Sequence, residues 1–138
     1  MWVHEYVGQT EASPEAVWAV LRDLDNWASW DTSMEWVRLQ GPFGVGAQVV
    51  MKPIGQEAIT STIVAAAENS RYADETEFNG VRLRFSHDIA ADVAGRTRVV
   101  HRLEITGPAA GEVGPQLGPA ITEDFPQAMA ALLARAEA

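Results

Sequence analysis

Between Glu35 and Gly107 apolar and polar residues alternate, and Gly, Pro or Asn marks most of the breaks between runs. This pattern predicts antiparallel strands over 35–40, 46–52, 57–67, 71–78, 81–92 and 96–106, with Gly41-Pro42-Phe43-Gly44 and Pro53-Ile54-Gly55 as connectors. Before them, Trp2 to Gln9 mixes aromatic, β-branched and polar residues over one strand length, which makes seven strands. At Ser13-Pro14-Glu15 a capping Ser, a Pro suited to the first helical position and an acid for the positive end of the dipole start a helix. Its apolar positions are Val17, Val20, Leu21 and Leu24; Asp25-Asn26 closes it before a second short segment, Trp27-Ala28-Ser29-Trp30. After Gly107-Pro108 comes a Gly/Pro/Ala stretch, followed by a long terminal helix with Ile121, Phe125, Met129 and Leu132 along one stripe. Pro126 removes a backbone donor and should kink that helix or mark a split in it.

The Asn79-Gly80 pair predicts a two-residue turn whose twist matches its flanking strands, and such a turn sets the register. With Phe78 opposite Val81, Thr76 faces Leu83, Asp74 faces Phe85 and Tyr72 faces His87. Val81, Leu83, Phe85, His87 and Ile89 alternate with Arg82, Arg84, Ser86 and Asp88, and burying the first set is far cheaper than burying two Arg and an Asp. On the next strand Val99, His101, Leu103 and Ile105 turn inward by the same logic, and a turn centred on Ala94 sets His87 across from His101. Val49, Met51, Ile59, Ser61 and Ile63 are inward candidates on other strands. An apolar face therefore carries Tyr72, Asp74, His87 and His101 within reach of one another.

Burial lowers an imidazole pKa and a nearby carboxylate raises it, so an Asp74 contact would decide the charge of the pair near neutrality. Four readings of this cluster stay open: a polar network satisfied by itself and water, a group that orients a ligand, a proton shuttle, and a metal site. The last needs His4 or a register that alternation does not provide, since Trp2, His4 and Tyr6 alternate with Val3, Glu5 and Val7 without a clean apolar side; no metal is expected. His4-Glu5 opens like a zinc-protease motif, but Gly8 stands where the second His belongs. Trp18, Trp27 and Trp30 read as core, with Trp30 or Trp36 as an alternative cavity-mouth residue that stacks on a planar ligand. The glycine-rich loop 41–46 reads as hairpin geometry or as a flap with Phe43 as its lid, and Asp31 as the end of a turn. No nucleophile elbow, phosphate loop or calcium loop is present.

The 138 residues, 47% hydrophobic and 21% charged, have the size and mix of one globular domain, 1–138. A net charge of −9 argues against nucleic acid, and a single Lys, Lys52, argues against anionic lipid. No apolar run approaches the ~20 residues of a spanning helix and Met1-Trp2-Val3-His4-Glu5 lacks a basic leader, so a soluble, cytoplasmic protein without membrane insertion is expected. The absence of Cys excludes thiolate nucleophiles, disulfides and Cys-ligated metal.

The element order resembles the helix-grip fold of the START/Bet v 1-like (SRPBCC) superfamily, and most closely its polyketide cyclase/dehydrase and lipid transport branch. The resemblance rests on Ala12-Ser13-Pro14-Glu15-Ala16-Val17-Trp18, Leu24-Asp25-Asn26-Trp27-Ala28-Ser29-Trp30-Asp31, Gly44-Val45-Gly46-Ala47, Gly95-Arg96-Thr97-Arg98-Val99 and Glu104-Ile105-Thr106-Gly107. It implies an α+β domain whose curved sheet wraps a long C-terminal helix, with a ligand cavity between them. Ligand contacts are then expected from Met51, Tyr72, Asp74, Phe85, His87, His101 and Phe125. The implied function is binding or transport of a small hydrophobic molecule bearing a polar group, without a cofactor, by a monomer or homodimer. The alternative is an aromatase/cyclase-type enzyme in which His87 or His101 moves a proton. A module that regulates protein partners would need a large exposed apolar patch, which the alternation does not show.

Overall fold

Strands β1 (Trp2–Thr10), β2 (Met34–Gln40), β3 (Gln48–Pro53), β4 (Ile59–Ala67), β5 (Arg71–Phe78), β6 (Val81–Ala91) and β7 (Thr97–Thr106) form one antiparallel sheet in the computed structural model, which describes residues 1–138. Their spatial order is β1-β7-β6-β5-β4-β3-β2. Helix α1 (Pro14–Arg22) and a 3-10 helix (Leu24–Ser29) connect β1 to β2, while α2 (Ala110–Thr122) and α3 (Phe125–Glu137) end the chain. This is an α+β helix-grip architecture.

Asn79 and Gly80 both adopt left-handed conformations, with φ of 49° and 78°, as a two-residue hairpin turn requires. The turn aligns Phe78 with Val81, Asp74 with Phe85 and Tyr72 with His87. A second tight turn with Ala94 at φ 62° sets His87 opposite His101. Val81, Leu83, His87 and Ile89 are buried on β6, as are Val99, His101, Leu103 and Ile105 on β7. The predicted starts at 46 and 57 shift to Gln48 and Ile59. Gly46 is held in a turn at φ 94°, its N–H donating to the Ile63 carbonyl at 2.9 Å.

Ser13 caps α1 by accepting from the Ala16 N–H at 3.1 Å, and Pro14 takes the first turn. Val17, Trp18 and Leu21 of α1 join Leu24, Trp27, Val49, Ile63, Tyr72, Met129 and Leu132 in the larger core. Phe43 also packs there, its ring 5.8 Å from Trp18 and 6.3 Å from Tyr72, with the Arg22 guanidinium over it at 5.1 Å. The lid reading of Phe43 is therefore corrected: the apolar ring is drawn under α1, away from the cavity described below.

The terminal helical region departs most from the pattern. It begins at Ala110, inside the Gly/Pro/Ala stretch, and is divided at Glu123-Asp124. Ala110, Gly114, Gly118 and Thr122 recur every four residues and form the buried stripe of α2. Trp2 of β1 lies across it: a Cβ added at Gly118 would sit 2.5 Å from the indole, and one at Gly114 would sit 2.6 Å from the Trp2 Cβ. The glycines thus admit an aromatic ring against the helix, and Pro115 and Pro119 stand on the exposed side. Pro126 falls in the first turn of α3, where its missing donor costs nothing, and so marks the split rather than a kink.

Candidate functional site

A cavity of about 590 Å³ lies between the inner face of the sheet and helices α2 and α3, well within the range of small-molecule pockets. Met51 reaches it from β3, Ser61 from β4, Tyr72 and Asp74 from β5, Phe85 and His87 from β6, and His101 from β7. Leu117 and Ile121 on α2 and Phe125 on α3 form the opposite wall. Trp27, Trp30 and Asp31 add a further side, and 15 of the 26 lining residues are hydrophobic, so the lining is mainly apolar.

Each of the seven residues singled out in sequence, Met51, Tyr72, Asp74, Phe85, His87, His101 and Phe125, lines this cavity. Trp30 lines it as well, whereas Trp36 does not and instead lies under the Arg38 guanidinium at 4.4 Å. Asp31 ends a turn, its Oδ1 accepting from the Ser33 N–H at 3.1 Å and the Ser33 hydroxyl at 2.6 Å. His4 stays behind the cavity wall, stacked at 6.1 Å on Trp2 and tilted against Phe125 at 5.8 Å. Leu117, Ala120 and Asp124 were not anticipated as lining residues, because their segment carries glycine and proline. The four-residue recurrence of small residues was the signal that could have found them.

Two polar arrangements stand out in this apolar interior. In the first, Tyr72 Oη donates to Asp74 Oδ2 at 2.8 Å, while Asp74 Oδ1 is buried without a hydrogen-bond partner. Burial pushes the Asp74 carboxyl from 3.8 up to about 7; the Tyr72 hydrogen bond opposes the rise and the neighbouring Glu75 charge adds to it. The Tyr72 phenol is pushed well above its ordinary range by burial and by Asp74. In the second, the His87 and His101 rings stack at 4.0 Å and 17°, and His101 stacks on Phe125 at 3.7 Å and 15°. Burial lowers His87 to about 4, partly offset by Asp88, and holds His101 well below 6.5, helped by the adjacent His87 and His4.

Asp74 was expected to set the charge of the imidazoles, and here the structure corrects the sequence reading. Its carboxyl is engaged by Tyr72, the carboxylate that acts on His87 is Asp88, and desolvation outweighs it. Both imidazoles are therefore neutral near pH 7, consistent with rings stacked face to face, and His101 Nδ1 is buried without a partner. No group of three or more His, Asp or Glu side chains converges in a way that could hold a metal ion. Chemically, the site can offer an imidazole nitrogen, a phenol and a carboxyl that titrates near neutrality.

The family model described as polyketide cyclase / dehydrase and lipid transport matches residues 4–137. The chain belongs to this family. Solved structures with the same architecture include a START superfamily protein from Mycobacterium smegmatis, with TM-score 0.75, 17% identity, and coverage of 98% of this chain and 97% of the other. The Zhui aromatase/cyclase from Streptomyces sp. R1128 gives TM-score 0.77 at 21% identity, over 98% and 93% of the two chains. A protein from Thermobifida fusca gives 0.79 at 19%, over 99% and 93%. No curated protein sequence matches the chain. At these identities the structural likeness carries the fold, and because 268 solved chains match, the fold does not choose among activities. No helix is long and apolar enough to cross a membrane.

Proposed function

We propose that residues 1–138 act as a single ligand-binding domain that holds or carries a small hydrophobic molecule bearing one polar group. The observation that carries this reading is the pairing of a cavity of about 590 Å³ with two lining residues that each hold a buried polar atom without a partner, Asp74 with Oδ1 and His101 with Nδ1. An unmet buried donor or acceptor costs about 1–3 kcal/mol, a deficit that a ligand hydroxyl, carbonyl or amine can relieve. The apolar body of the ligand would be held by Met51, Phe85 and Phe125, and its polar end by Tyr72, Asp74, His87 and His101.

Fluorescence titration with Nile red, a neutral apolar dye, tests the reading. Saturable binding with a blue-shifted emission is expected; emission unchanged from that in buffer would refute it.

A second reading, a polyketide aromatase/cyclase-type enzyme, is favoured by one feature. Asp74 titrates near 7 inside an apolar cavity, the range in which a proton-transfer group works best at neutral pH. His87, at about 4, is a much weaker base, so catalysis here would follow Asp74 rather than the imidazoles.

A further inference from the structure

The charged side chains that line the cavity are all acidic: Asp74 inside, and Asp31 and Asp124, which also line an adjoining polar recess of about 220 Å³. No Lys or Arg lines either space. The protein as a whole carries a formal charge of −9, so the field reinforces the local sign. An acidic lining alone would select nothing. The second, independent observation is Asp74 Oδ1, an acceptor on a 2% exposed residue that lines the cavity and has no hydrogen-bond partner. Trp27, Trp30 and Tyr72 add aromatic rings to the lining. The faces of such rings attract cations and repel anions.

We infer that the cavity selects ligands by charge, taking an apolar molecule that carries a protonated amine, with an amine N–H donating to Asp74 Oδ1, and rejecting carboxylates and phosphates. This inference rests on the ligand-binding reading above and adds the class of the polar group. An ammonium both supplies the missing hydrogen bond and compensates the buried carboxylate. A hydroxyl supplies only the hydrogen bond, and an anion does neither while losing its hydration. Tyr72 holds the other carboxylate oxygen and so fixes the direction in which Oδ1 is presented.

The test is isothermal titration calorimetry at pH 8 with three naphthalenes of nearly equal size: 1-naphthylmethylamine, 1-naphthalenemethanol and 1-naphthoate. The amine is expected to bind at least about tenfold tighter than the alcohol, and the carboxylate at least about tenfold weaker than the alcohol. In Asp74→Asn the amine should lose its advantage, falling to within about threefold of the alcohol. Should circular dichroism show that variant unfolded, the wild-type titrations are repeated at pH 5.5, where the Asp74 carboxyl holds its proton: the preference for amine over alcohol should shrink to within about threefold, and a preference unchanged from pH 8 overturns the inference. Equal affinities for all three compounds, or tightest binding of the carboxylate, would overturn it while leaving the ligand-binding reading intact. Binding of none of the three by protein that still binds Nile red would overturn the inference alone, and binding of neither the three nor Nile red would remove both.

Discussion

Asp74→Asn should reverse part of the pH dependence of stability. In the folded protein the Asp74 carboxyl holds its proton up to about pH 7, whereas in the unfolded chain it releases it near 3.8. Between those values the native state binds one more proton than the unfolded state, so this residue makes the protein less stable as pH rises, by about 1.4 kcal/mol per pH unit. Over a window of some three pH units the loss approaches about 4 kcal/mol, a large share of the stability of an ordinary domain. Asn has no proton to lose and can still accept from Tyr72, so the variant escapes the loss. The contributions of His87 and His101 run the other way, destabilising as pH falls below 6.5, but they are common to both proteins and cancel in the difference. Urea unfolding followed by tryptophan fluorescence at pH values from 4 to 8 gives the comparison. The stability of Asp74→Asn relative to wild type should climb by about 4 kcal/mol across that range, with unchanged denaturant slopes. Two curves that stay parallel to within about 1 kcal/mol would mean that Asp74 ionises normally in the fold, and the buried unpartnered carboxyl would have to be abandoned.

Two further outcomes follow from packing. Gly118→Ala should destabilise the protein by about 1–3 kcal/mol despite the better helix propensity of Ala, because the new methyl meets the Trp2 indole. Gly111→Ala, with open space around it, should stabilise by up to about 1 kcal/mol, and equal effects at the two sites in urea unfolding would contradict the Trp2 contact. His101→Phe keeps a ring against Phe125 and removes an unpartnered nitrogen, so it should stabilise by about 1–3 kcal/mol at pH 7.5. The gain should widen below pH 6.5, where the wild-type imidazole resists protonation in the fold; a gain that shrinks on acidification would oppose this.

The middle of the sheet was legible because two local signals agreed. Asn79-Gly80 pins one register, and the contrast between Leu83, Phe85 and His87 and the two intervening Arg decides which face is buried. Tyr72 and His87 could be aligned from those facts alone, and His101 from the turn centred on Ala94. Helix α2 was hidden because glycine and proline argue locally for a loop, while what places them there is a partner more than a hundred residues away, the Trp2 ring. Tertiary contact overrode propensity. Phe43 stayed open between two readings for a related reason: an aromatic in a glycine-rich loop can cover a mouth or fill a core, and only the position of Trp18 on α1 decides between them. The charge of the imidazoles was equally out of reach, because alternation puts Asp74 on the correct face without saying that Tyr72, two residues away on the same strand, captures its carboxyl.

The central claim is that the hollow between sheet and helices receives a molecule. Ala128, half-buried on α3, lines that hollow, so Ala128→Trp should fill part of it without removing a side-chain hydrogen bond. Nile red titrated into wild type and Ala128→Trp side by side is the most direct test. The account predicts saturable binding to wild type and at least about tenfold weaker binding to a variant that remains folded by circular dichroism. Equal affinity for both would place the dye on the outer surface and contradict the claim.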